Sequence, residues 1–544
     1  MGRRPPVPLA AGVGVGLGLA LAATGCGVDA FAGPRSGGPG TLTFAVNAEP
    51  STCLDPHQAS TDTAALFTRP VLDSLVSMDA RGAIHPWLAR SWRVSADQRT
   101  YTFELRGDVR FSDGTRFDAA AVRANLDHVA APATKSQLAI GFLGPYAGST
   151  AVDADTVQVR LREPYAPLLS ALSTAYLGIE SPASIARGQD GLCTRVVGTG
   201  PFTMRPYVVQ QGVDYRRNPG YRWAPPTAAH QGPARLSRLR IRVIPEDSVR
   251  LGGLQSGQFD AIASVPPVTV RRVRADPRLA VLARQSPGGN YAYYPNTSRG
   301  PFSDVRVRRA FRAGIDFPTI VERLYFGVFQ PAASPLSPST AGFDGSVRPR
   351  YDPAEAARLL DEAGYTGRDA QGYRTKDGRT LALRWNFIKA VAREQRDVLG
   401  AQVQAAARRA GFRLDIDNTP VGEAIQHFNK GEYDMGDTSW QRADADILRS
   451  LFSTATIASP GAYGMNYPRY SAPETDRWLE GALAEPDPAE RAALYAQVQR
   501  KVTDDAAVFP VYVFNYVLGV QRSVQGVQWE PQGFPLFYDA WIRS

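Results

Sequence analysis

Asp444 and Asp446 stand two residues apart in Trp440-Gln441-Arg442-Ala443-Asp444-Ala445-Asp446, the spacing at which two carboxylates could divide acid and base roles. Acidic residues this close in a strand or loop more commonly cap or face solvent, so the pair is weak evidence for catalysis. The other reactive types do not converge. Five histidines, His57, His85, His128, His230 and His427, make neither H-E-x-x-H nor any close pair, and no G-x-S-x-G is present. A hydrolase would lack both nucleophile and base, and isolated histidines are usually structural. Neither an enzyme, a metal centre nor a cofactor is therefore expected. Gly198-Thr199-Gly200-Pro201 bends the backbone where side chains would clash, but no GxxxxGK[ST] exists and no helical pattern follows Gly200, which argues against a phosphate cradle.

The bulk composition excludes other classes. The chain has 544 residues, too many for one core, and about three to four domains or lobes are expected. Its 61 basic and 52 acidic residues give a net charge of +9, yet they are interspersed, with no basic run longer than two. Mixed solvated faces follow, and nucleic-acid binding does not.

Arg3 and Arg4 precede an apolar, Gly-diluted stretch from Val7 to Ala23, followed by Thr24-Gly25-Cys26. This reads as a secretory signal over residues 1–25. Ala23-Thr24-Gly25-Cys26 resembles a bacterial lipobox, with Ala23 where Leu is usual, which implies lipidation of Cys26. Residues 26–40 then form a Gly/Pro/Ser-rich tether. With Cys26 acylated, Cys53 and Cys193 remain as an even pair in an oxidising compartment. They form either one long-loop disulfide or two separate buried thiols.

The folded part begins with Thr41–Val46, read as a strand, then a Leu54-Asp55-Pro56-His57 loop and a helix from Phe67 to Asp79. Pro86-Trp87-Leu88-Ala89-Arg90-Ser91-Trp92 leads into Thr100–Arg106, whose period of two predicts a half-buried strand. Phe111-Ser112-Asp113-Gly114-Thr115 predicts a turn, and Asp118 caps a helix through Val129. Further on come Val197-Gly198-Thr199-Gly200-Pro201-Phe202, Asn218-Pro219-Gly220-Tyr221, and Pro301-Phe302-Ser303-Asp304-Val305-Arg306-Val307-Arg308. In this order the blocks resemble family 5 extracytoplasmic solute-binding proteins, the peptide and nickel class of ABC importers, from about Thr41 to the end.

The resemblance implies an α/β, periplasmic-binding-protein-like fold of two lobes with a hinge and a ligand cleft, plus an inserted extra domain (class C type). Residues 41–78, 194–292 and 520–544 would form lobe I, 79–193 the inserted domain and 293–519 lobe II. The glycine-rich bend would be where the chain re-enters lobe I. Tyr291, Tyr293, Trp440, Tyr512 and Phe514 lie in stretches resembling those that border the cleft, and Gln441, Asp437 and Asp444 join them as polar candidates. Peptide-binding relatives carry W-x-x-D, whose Asp meets the ligand amine; here Ala443 stands at that place, so amine anchoring either shifts to Asp444, with Asp437 as an alternative anchor, or is absent. The implied function is a monomeric, lipid-anchored receptor on the outer face of the cell membrane, delivering peptides or similar small solutes to an ABC permease. The alternative is an envelope lipoprotein on the same scaffold that regulates a membrane partner and transports nothing.

Overall fold

A computed structural model of the chain describes residues 40–50, 53–59, 62–389, 392–459 and 464–543. The signal, Cys26 and most of the tether lie outside the described residues. Thr41–Val46 is central to a seven-stranded sheet and pairs in parallel with Arg238–Val243 on one side and Ala261–Ala263 on the other. All six of its residues are buried. Leu42, Phe44 and Val46 face one core while Ala45 faces another, so both sides of the strand are covered, as parallel strands require.

The sequence 89–161 builds a four-stranded antiparallel sheet whose central strand, Thr100–Leu105, alternates in burial as its pattern predicts. The helix Ala119–Ala130 packs beside it, and the Asp118 carboxylate accepts from the Ala121 N–H at its start. One continuous apolar core joins this sheet to the first, so the inserted segment is fused to lobe I rather than tethered to it. The expected helix from Phe67 to Asp79 is instead Asp62–Thr68 followed by the strand Val76–Met78. Pro70 lacks the N–H a continuing helix needs and disfavours helical backbone at Arg69.

A six-stranded sheet forms lobe II, in the order Gln330–Pro331, Phe509–Val513, Gly288–Pro295, Met435–Gln441, Ala382–Phe387, Arg413–Asn418. The chain changes sheets between Gln285 and Gly288 and again between Val513 and Asn515. These crossings precede the expected limits at 292/293 and 519/520 by several residues. Strand pairing decides the difference: Gly288 is already opposite Gln441, and Asn515 is already opposite Gln285.

At the re-entry bend, a Cβ on Gly198 would sit 2.2 Å from the Val71 carbonyl oxygen, and one on Gly200 2.5 Å from the Val71 carbonyl carbon. The glycines permit this backbone approach, and the Gly200 N–H donates to Val71 O at 2.8 Å. Nearby, a disulfide joins Cys53 to Cys193, which are 140 residues apart in sequence.

Candidate ligand-binding cleft

A cavity of about 390 Å³ opens at the carboxyl ends of Thr41–Val46 and Ala261–Ala263, the place where open α/β sheets bind ligands. Asn47, Ala48 and Ser264 wall it from lobe I, Arg393 and Glu394 from lobe II, and Phe514 from the crossing between them. Glu394 and Gln395 both have left-handed backbone, with φ of 51° and 55°. Two consecutive non-glycine residues in that region store strain, which is common where a loop presents side chains to a ligand. The helix Arg396–Ala410 starts immediately after them.

Behind this wall lies a charged aromatic layer. The Arg396 guanidinium sits 4.3 Å from the Tyr291 ring centre, donates to Tyr512 Oη at 3.0 Å and to Ser439 Oγ at 3.0 Å, and pairs with Glu394 Oε2 at 2.9 Å. Tyr291 and Tyr512 stack with centroids 4.7 Å apart. Tyr291 Oη donates to Asp437 Oδ2 at 2.9 Å, and Trp385 Nε1 donates to Asp437 Oδ1 at 2.8 Å. Burial pushes the Asp437 carboxyl above its ordinary range, opposed by the Arg396 charge and these two hydrogen bonds. The layer holds Glu394 in place from beneath.

The sequence candidates therefore divide. Tyr291, Tyr293 and Tyr512 are fully buried; Tyr293 packs edge-on against Trp385 in the lobe II core. Both oxygens of Asp437 are engaged, so it supports the wall instead of offering a free anchor. Phe514 lines the cavity, with the Arg393 guanidinium 5.5 Å from its ring centre. Trp440 and Gln441 are half-buried, and Trp440 Nε1 and Gln441 Nε2 have no hydrogen-bond partner among the described residues. They pair with Gly289 and Gly288, where a Cβ on Gly288 would meet the Arg442 amide nitrogen at 2.4 Å.

Asp444 does not serve as an open amine anchor. Its carboxylate accepts from Arg442 Nε at 2.9 Å and from Ser170 Oγ at 2.8 Å, the latter on the inserted domain. Arg442 also pairs with Asp446 at 3.0 Å, and Asp446 with Arg449 at 2.8 Å. The two acids that suggested acid–base chemistry are thus consumed by a buried ion network between the arms of the molecule. Arg442 stands two and four residues before these acids, a spacing that could have signalled the pairing. Arg396 and Glu394 pair with each other two residues apart, but nothing local marks the contacts of Arg396 with Tyr291, Tyr512 and Ser439, which come from distant strands.

A second cavity, of about 340 Å³, lies between lobe I and the inserted segment, which contributes Asp79, Trp87 and Ser173. Its Asp73 is saturated by Thr199 Oγ1 and Trp223 Nε1, each at 2.9 Å, with Tyr221 Oη at 3.4 Å. It joins the two sheets less directly than the first, which both lobes wall.

Comparison with known proteins agrees with this architecture. The model of the family "Bacterial extracellular solute-binding proteins, family 5 Middle" matches residues 83–458. The glutathione-binding protein GsiB of Escherichia coli strain K12 is 26% identical over 496 residues, covering 90% of this chain and 92% of that protein. NikA from Brucella suis, solved with Fe(III)-EDTA, superposes with a TM-score of 0.80 at 25% identity over 92% of this chain and 100% of its own. DppA from Helicobacter pylori, solved with the peptide STSA, shares the fold with a TM-score of 0.77 at 24% identity over 93% of this chain and 98% of its own. The chain belongs to family 5 of the bacterial extracellular solute-binding proteins of ABC importers, which are receptors and not enzymes.

Proposed function

We propose that this protein is the lipid-anchored receptor of an ABC importer and captures short peptides or similar small zwitterions in the cleft by hinge closure. The observation that carries the reading is the cavity walled by both lobes at the carboxyl ends of the central strands. Its wall presents Arg393 for a ligand carboxylate and the exposed Asp397 for a ligand amine, a role that Ala443 leaves open, while Glu394, paired with Arg396 at 2.9 Å and Arg393 at 3.4 Å, fixes the wall between them. Phe514 supplies an apolar face, whereas Trp440 and Gln441 are not among the residues that line the cavity. Attachment is assigned to Cys26; no helix among the described residues is long and apolar enough to cross a membrane.

Thermal shift against di- to pentapeptides and small amino-acid conjugates tests this. A ligand should raise the melting temperature of the wild type, and Phe514→Ala and Glu394→Gln should each weaken it about tenfold, or about 1.4 kcal/mol. Binding that both variants leave unchanged would move the ligand to another cavity. No stabilising compound in such a library would favour the regulatory alternative.

A further inference from the structure

The loop after Cys53, the helix Ala119–Ala130 and the segment at Gly178 bring two histidines and a carboxylate together outside the cavities described above. One ligating atom from each of Asp55, His57 and His128 lies within 4.8 Å of the others. His128 Nε2 is 2.9 Å from Asp55 Oδ2, and His57 Nδ1 is 3.9 Å from Asp55 Oδ1. Asp55 and His57 are almost wholly removed from solvent.

The surrounding hydrogen bonds assign the ring protons. Thr134 Oγ1 gives its one proton to the His128 carbonyl at 2.5 Å, so it accepts from His128 Nδ1, 3.1 Å away. The Nε2 of a neutral His128 then aims a lone pair at a carboxylate oxygen, which is repulsive. A second proton on His128 would relieve that contact, but it would do nothing for His57. His57 Nε2 lies 3.0 Å from the Gly178 carbonyl and must donate there. His57 Nδ1 is left as a buried lone pair with no hydrogen-bond partner among the described residues. Glu180, fully buried and within Coulombic reach of Asp55, likewise keeps Oε1 unpartnered. A single cation between the three side chains satisfies His57, His128 and Asp55 together.

We propose that Asp55, His57 through Nδ1 and His128 through Nε2 bind one divalent transition ion of the zinc class, with water completing a tetrahedral set. Two imidazoles and a carboxylate suit zinc, and each ring nitrogen facing away from the ion already has the outer hydrogen bond that orients a metal-bound histidine. The site is structural. It fixes residues 53–59 against the helix Ala119–Ala130, with Asp55 two residues from the disulfide at Cys53.

Metal analysis of the mature chain, purified without a polyhistidine tag, should find about one zinc per chain, falling below about 0.2 in His57→Gln and in His128→Gln. Adding zinc after chelation should raise the melting temperature of the wild type and leave the variants unmoved. Zinc absent from the wild type after dialysis against the ion, with no thermal shift, overturns the proposal. So does a wild-type zinc content in both variants. Should the variants fail to fold, anomalous diffraction at the zinc edge from wild-type crystals decides: a peak between Asp55, His57 and His128 supports the site, and no peak there overturns it.

Discussion

Arg442 Nη2 donates to Tyr165 Oη at 2.8 Å, tying the strand end that carries Trp440 to the segment 79–193 through two buried side chains. Ser170 to Asp444 and the Ala166 N–H to Leu483 O, both 2.8 Å, reinforce the same contact. A lobe-to-lobe latch of this kind biases a hinge toward closure only by what it contributes in the closed state.

Tyr165→Phe removes one hydrogen bond and leaves Arg442 paired, so it should cost about 0.5–1.5 kcal/mol of closed-state stability. Arg442→Ala removes the charge-assisted bonds to Asp444 and Tyr165 and one of the two guanidiniums paired with Asp446, which keeps Arg449, and should cost more, about 1.5–3 kcal/mol. Small-angle scattering should show a larger radius of gyration in the unliganded variants, and chemical denaturation should rank the two losses. Equal losses would assign the energy to the tyrosine contact alone and sink the ion-network account.

Closing a loop of 140 residues by the Cys53–Cys193 bond should stabilise the protein by about 5 kcal/mol in the chain-entropy model. The paired substitution of both cysteines by serine should therefore lower the denaturation midpoint to that of the reduced wild type. A reducing agent should not affect the double variant further. If reduction shifts the wild type no more than the variant, the bond does not stabilise the fold.

Asp73 carries a pH signature. Burial pushes its pKa from 3.8 to about 6, against the hydrogen bonds from Thr199 and Trp223 and the Arg69 charge. A carboxyl whose folded pKa is raised binds its proton more tightly when folded. Its stabilising contribution is complete below the unfolded value of 3.8 and is lost as pH rises through about 6. Between pH 4 and pH 7 the wild type should lose about 2 kcal/mol relative to Asp73→Asn, which has no charge to bury. Urea denaturation of both proteins at a series of pH values measures this, and parallel curves would refute it.

Local patterns were legible in the sequence; distant pairings were not. The alternation of Thr100–Leu105 and the Asp118 cap depend on near neighbours and appear as expected. The helix expected through Asp79 fails at Pro70, a local signal outweighed by the apolar run around it. Asp444 read as a ligand anchor because its partner on Ser170 lies 274 residues away. Asp55 and His128, 73 residues apart, meet only once the inserted domain has folded against the first loop. The aromatic candidates were grouped by resemblance alone, and nothing in their local sequence says that Tyr291 and Tyr512 face inward beneath Arg396 while Phe514 reaches the cavity.

The proposed lipidation of Cys26 would set where the receptor works. The stretch Val7–Ala23 is 17 residues long by its numbering and carries Gly12, Gly14, Gly16 and Gly18, so it is a poor substitute for a spanning helix of about 20 apolar residues. On the proposed reading, retention on the membrane comes from acyl chains on Cys26. One chain binds only marginally, so stable retention needs the several chains of a processed lipoprotein. Cys26→Ser should move the protein from the membrane fraction to the soluble extracytoplasmic fraction, while ligand-induced thermal stabilisation of the purified protein stays unchanged because the cleft lies far along the chain. Mass spectrometry of the wild-type amino terminus should find acyl groups on Cys26. A Cys26→Ser protein that pellets with membranes as completely as the wild type would show that something other than this cysteine holds it there.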